Sequence, residues 1–140
     1  MRPARILMDY FNHLQALVYS SRHVSRQPRL GFRPDRRHGA ARALLSAEHI
    51  EFADGAVLGV DETLEVTEDG QIVRPRYRYH YEVPSAAFFF RYDRDLKSAK
   101  VHVHEECHLH VMQETPRYKT HAASFEEVFR FIEASFYHGT

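Results

Sequence analysis

His80 stands in a run from Arg76 to Glu82 in which Tyr77, Tyr79 and Tyr81 alternate with Arg76, Arg78, His80 and Glu82. Successive side chains of a β-strand point to opposite faces, so this run puts the basic groups on one side and the tyrosines on the other. After a turn begun by Pro84 and Ser85, Phe88, Phe90 and Tyr92 alternate with Phe89, Arg91 and Asp93. Strands joined by so short a turn are antiparallel neighbours, and Arg78, His80, Arg91 and Asp93 can then meet across the ladder. An imidazole can move a proton and a guanidinium offers a planar fork to phosphate, chemistry that suits cleavage of an RNA phosphodiester without a metal. The same groups could instead satisfy one another on a half-buried sheet, Arg91 with Asp93 or Glu82 and His80 with a backbone carbonyl.

A second constellation lies further on. His102, His104, Glu106, His108 and His110 share one parity of residues 101–112, and Val101, Val103, Cys107, Leu109 and Val111 share the other. On a continuous strand the neighbours in that polar row are roughly 6.6 Å apart. Imidazoles at that spacing can converge on a divalent metal, with His104, His108 and His110 as the expected ligands, and a solvated histidine face is the alternative. Tyr77, Tyr79, Tyr81 and Tyr92 beside arginines have the composition of a base-stacking surface, although such tyrosines are more often core, where Phe88, Phe90 and two amphipathic helices also need to bury. Glu62 shares its parity with Leu58, Val60, Leu64 and Val66, so its carboxylate needs a partner or a raised pKa, as a paired structural residue or as a site acid. From Arg22 to Arg42 seven arginines face a single Asp35, a basic arm able to bind an RNA backbone, dock on an acidic partner or stay a solvated loop.

These groups need elements to hold them. Pro3 suits a first helical turn, and Ile6, Leu7, Tyr10, Leu14, Leu17 and Val18 predict a helix over 4–18. Residues 20–40, with Pro28, Gly31, Pro34 and Gly39, read as an irregular arm or a frayed short strand whose ordering is expected to depend on a partner. Asp54-Gly55 and Glu68-Asp69-Gly70 are turn signals between strands over 41–53, 56–67 and 71–83. Ser124-Phe125-Glu126-Glu127 matches a capping box, and Phe125, Val128, Phe129, Ile132 and Phe136 predict a helix over 124–137.

At 140 residues the chain suits one domain, 1–140. A lone cysteine, Cys107, rules out an intrachain disulfide and paired-cysteine zinc sites, and a reducing cytosol is the natural reading. The apolar run after Met1 is broken at Asp9, which argues against a signal peptide or a membrane span. A formal net charge of zero gives no overall pull toward nucleic acid, so any such signal is local.

The order of helix, basic arm, Phe52-Ala53-Asp54-Gly55-Ala56-Val57-Leu58, Glu62, Tyr77-Arg78-Tyr79-His80-Tyr81 and Phe90-Arg91-Tyr92-Asp93 resembles the TumE-like family over nearly the whole chain. Members commonly follow the last motif with Asn-Ala-Pro-His-His and later show His-His-Lys-His. Here Arg94-Asp95 and Cys107-His108-Leu109-His110 stand instead, and only His108 and His110 carry over. The resemblance implies the toxin half of a bacterial type II toxin-antitoxin pair, with a helix-turn-helix antitoxin as partner.

The expected fold is therefore α+β, an antiparallel meander of four to five strands over 41–112 with both helices packed on one face. The other face would carry His80 as proton-transfer residue, Arg78 and Arg91 holding phosphate, and Asp93 as a further catalytic group, with Glu62, on the apolar parity, the remaining candidate catalytic acid. Arg33, Arg36, Arg37, Arg76 and Tyr79 are the expected RNA contacts, and His104, His108 and His110 the auxiliary or metal-binding set. A non-catalytic protein-binding module, or a metal-binding histidine-rich domain, is the opposing expectation. A homodimer is compatible with the sequence.

Overall fold

The computed structural model describes residues 2–25, 29–35, 41–96 and 107–137. Helix α1 spans Pro3–Tyr19, with Pro3 in the first turn, where its missing N–H leaves no bond unmade. Its apolar stripe buries Leu7, Leu14 and Val18. Helix α2 spans Phe125–Phe136, and Ser124 caps it by accepting from the Glu127 backbone N–H at 3.2 Å. Glu126 and Glu127 in the first turn complement the positive end of the helix, and Phe125, Val128, Phe129 and Ile132 face inward. Both helices fall where periodicity and capping placed them. No helix among the described residues is long and apolar enough to cross a membrane.

Between the helices runs one sheet: β1 (Gly31–Pro34), β2 (Arg42–Glu51), β3 (Val57–Val66), β4 (Ile72–Val83), β5 (Phe88–Asp95), β6 (Cys107–Val111) and β7 (Tyr118–Lys119). The strands lie in sequence order and every neighbouring pair is antiparallel, so the topology is the expected meander. Among the described residues it has seven strands rather than four or five. The additional ones are β1, inside the basic arm, and the two-residue β7. Both are too short to show a period-two pattern and are strands because a longer neighbour supplies their hydrogen bonds. The Gly31–Pro34 part of the arm is thus held by its ladder with β2.

Gly55 and Gly70 take φ of +88° and +84° in the turns after β2 and β3, a region that a Cβ makes costly. Asp54 Oδ1 tightens the first turn by accepting from the Ala56 N–H at 3.1 Å. Two bulges then decide which residues face inward. In β2, Ala47 pairs with Val60 and Ile50 with Leu58, so two residues lie opposite Gly59. The inward positions accordingly change from Ala43, Leu45 and Ala47 to Ile50. In β4, Val73 pairs with Glu65 and Arg76 with Thr63, which leaves Arg74 and Pro75 opposite Leu64. A bulge is one of the few sheet positions that tolerates proline, which cannot donate to the ladder.

Both helices cover the same face. Helix α1 packs over β2 and β3, and α2 stacks Phe125 on Tyr79 at 6.3 Å and Phe136 on Tyr81 at 5.1 Å. Phe52 lies at the centre, fully buried and in ring contact with Tyr81, Phe129 and Tyr137. Tyr77, Tyr79 and Tyr81 are core residues.

Glu62 sits among them, 3% exposed. Tyr10 of α1 donates to its Oε1 at 2.7 Å, Tyr79 donates to Oε2, and Arg74 Nε lies 3.3 Å from Oε2. The β4 bulge makes this pairing feasible, because it turns Arg74 to the covered face while Arg76 and Arg78 remain on the other. Burial nevertheless raises the Glu62 carboxyl above the usual range, against the lowering effect of its donors and of Arg74. Folded Glu62 keeps its proton to a higher pH than the unfolded chain does, so its contribution is complete below the ordinary glutamate value. That contribution is lost as pH rises through the raised one. Urea denaturation of the parent and of Glu62→Gln from pH 4 to 8 should show the parent losing stability relative to the variant as pH rises. Parallel pH profiles would refute this.

Candidate functional site

The uncovered face is laid out by cross-strand register. One row runs Gly31, Ser46, Asp61, Arg78, Asp93, His108 and Lys119 across all seven strands. The next holds Gly59, His80, Arg91 and His110, and a third holds Arg33, Leu44, Thr63, Arg76 and Asp95. Side chains directly opposite on one face have Cβ atoms roughly 5 Å apart, so these rows bring distant parts of the chain into contact. Gly59, opposite His80, contributes no side chain, and a recess of about 480 Å³ opens there, bordered by His49, Asp61, Arg78, His80 and Arg91. A broader one of about 1030 Å³ lies beside it, lined in part by Arg33, Arg76, Asp93, His108, His110 and Glu114. Arg78 and Arg91 border both.

Asp93 is the hub of this face. Its Oδ2 accepts from Arg91 Nε at 2.9 Å and lies 3.2 Å from His110 Nε2, and its Oδ1 is 3.4 Å from Arg78 Nε. Arg91 directs its remaining amino groups at Glu114, Nη1 to Oε1 and Nη2 to Oε2, each at 2.9 Å. This planar, two-bond contact holds the Glu114 carboxyl below the usual glutamate range. His110 Nδ1 lies 2.8 Å from the Glu114 backbone oxygen, so both ring nitrogens are engaged. His108 Nε2 is buried with no hydrogen-bond partner among the described residues. His80 stacks on Phe89 with ring centroids 5.2 Å apart and has Nε2 3.1 Å from Glu82 Oε1. Its side chain remains about a third exposed, at 32%.

The face therefore assembles His80, Arg78, Arg91 and Asp93 of the expected catalytic set, together with Arg33, Arg76, His108 and His110. Glu62 and Tyr79 belong elsewhere. They lie beneath the helices on the opposite side of the sheet, and Tyr79 is 0% exposed, sealed where no base could stack on it. Their parity is that of the core, and burial of neighbouring tyrosines outweighs any role at the surface. Arg36, Arg37 and His104 lie outside the described residues. Among the described residues no group of three or more His, Cys, Asp or Glu side chains is arranged to hold a metal.

Glu114 was not among the expected residues. It sits in the loop after β6, where no alternation points to it, and only the register that brings that loop beside Arg91 reveals it. Asp61 was missed as well, although its parity opposite Leu58, Val60 and Glu62 marks it as outward. Asp93→Ala should lower stability by about 1–3 kcal/mol, because it leaves Arg91 and His110 short of an acceptor in a site only partly reached by water. The urea midpoint would report this, and a midpoint equal to the parent's would show that Asp93 is not the hub.

Neither a search of curated proteins nor one of solved structures gave a match. Residues 14–136 match the family described as Toxin TumE, a span from the middle of α1 to the end of α2 that contains every strand. The chain therefore belongs to the Toxin TumE family.

Proposed function

We propose that this protein is the toxin half of a type II toxin-antitoxin pair, with a helix-turn-helix antitoxin as partner, and that its uncovered sheet face acts on RNA. Family membership supports a toxin. The observation that carries the RNA reading is the register of β4 and β5, which sets His80 directly opposite Arg91 and Arg78 directly opposite Asp93 on the face left open by the helices. In this reading His80 takes the proton of a ribose 2′-hydroxyl, whose oxygen attacks the adjacent phosphorus as the P–O5′ bond breaks and the departing oxygen takes a proton from solvent. Arg78 and Arg91 hold the phosphate oxygens as charge builds on them. Arg33 and Arg76, on the same face, extend the contact along the backbone.

The second reading, a module that acts by binding proteins alone, is favoured by the closed pattern of ion pairs, in which Arg91, Asp93 and His110 already satisfy one another. Labelled RNA incubated with purified protein, with and without chelator, separates the two and also tests a divalent metal at His108 and the neighbouring histidines. His80→Ala is expected to reduce cleavage about 10²- to 10⁴-fold while RNA binding changes little. Undiminished cleavage by this variant, or undiminished growth inhibition in cells that express it, would exclude His80 from the chemistry.

A further inference from the structure

The Arg91 fork that this reading assigns to phosphate is already filled. Glu114 meets it with both carboxylate oxygens, and the two partners are held very differently. The Arg91 side chain is 12% exposed and braced at Nε by Asp93, whereas the Glu114 side chain is 70% exposed and sits between β6 and β7. Among the bonds that hold the loop around Glu114 are the one between its backbone oxygen and His110 and one from the Met112 N–H to the Phe89 carbonyl at 3.0 Å. Asp61, Asp93 and Asp95, the other carboxylates on this part of the face, belong to paired strands and cannot leave without opening the sheet. Glu114 can leave by a local opening of the loop.

We propose that Glu114 is an internal stand-in for phosphate: it occupies the Arg91 fork in the resting protein and yields it, by movement of the 112–117 segment, to a phosphate group of a bound polynucleotide. The inference rests on the phosphate-binding reading above and adds the gate that this reading requires. Carboxylate and phosphate present a similar pair of oxygens to a guanidinium, so one can replace the other. A free carboxylate ligand would compete poorly, because Glu114 is tethered and therefore present at high effective concentration. A polynucleotide competes better, since further phosphates engage Arg33, Arg76 and Arg78, which line the same recess. Arg91, His110 and Arg78 all act to hold the Glu114 carboxyl low, so the point it occupies is where the positive groups of the face converge. Apparent RNA affinity is then the intrinsic affinity reduced by the fraction of molecules whose loop is open.

The test is fluorescence anisotropy of a labelled single-stranded RNA, in a His80→Ala background that leaves the RNA uncut, with folding checked by circular dichroism. Glu114→Gln should bind about three- to tenfold more tightly than its parent, as expected for removal of an exposed but bidentate competitor. Glu114→Ser should behave alike. The gain should vanish when Arg91→Gln is combined with either change, and the amide resonances of residues 112–115 and of Arg117 in the parent should shift as RNA is added. An unchanged affinity overturns the proposal, as does a gain that persists without Arg91, since removal of any negative charge would produce that. A polyglutamate peptide that binds the Glu114→Gln protein more tightly than the RNA does would overturn the assignment to phosphate. Failure here is distinct from failure of the functional reading. Cleavage that needs Arg91 but ignores Glu114 removes only the gate, and an Arg91-dependent gain in binding with no cleavage by the unmodified protein removes only the ribonuclease.

Discussion

A pleated strand offers its side chains only two directions, and in this protein one direction is dry and the other wet. Helices α1 and α2 press on one face of the meander, so whatever the alternation sends there must be apolar or fully partnered. Glu62 is the severe case. Its carboxylate is tolerated because Tyr10 and Tyr79 donate to it and Arg74 lies beside it. Arg74 reaches it only because the bulge at Arg74 and Pro75 shifts the parity of β4. The segment after the bulge, from Arg76 to Glu82, then sends its tyrosines inward and its basic groups outward. One local irregularity thus serves both the buried pair and the open face.

On the wet side the charges are organised rather than merely solvated. Arg78 stands between Asp61 and Asp93 in one row and Arg76 beside Asp95 in another, and Asp93 draws Arg78, Arg91 and His110 toward one point. Exposed ion pairs singly contribute little, but a network on the rigid floor of a sheet fixes side-chain directions. The zero formal charge of the chain has its local counterpart in this near balance. A face so balanced does not attract a polyanion by net charge. On the proposed reading its affinity for phosphate depends on one carboxylate withdrawing, and Glu114 is the carboxylate that lies in a loop rather than on a paired strand.

Core and site are coupled through the same strands. Tyr79 and Tyr81 of β4 stack against α2 while His80, between them, faces Arg91. The position of the imidazole is therefore set by aromatic packing on the far side of the sheet. The same packing holds the imidazole in fixed relation to the Arg78 and Arg91 guanidinium groups of its own and the neighbouring strand.

Much of this was written in local pattern. The alternation in residues 76–82 and 87–93, the turn glycines at 55 and 70, Pro3 and the Ser124 cap determined two helices, the central strands and the side on which His80, Arg78, Arg91 and Asp93 emerge, because each depends on neighbours a few residues away. Tertiary structure decided what depends on distant partners. Strands β1 and β7 exist through the hydrogen bonds of their neighbours, and Tyr79 proved to be core rather than surface because α2 lies over it. Glu62 became a structural residue when Tyr10 and Arg74 arrived from 52 and 12 residues away. Glu114, in a loop with no period to betray it, joined the site only because β5 and β6 pair, and no reading of nearest neighbours contains that pairing.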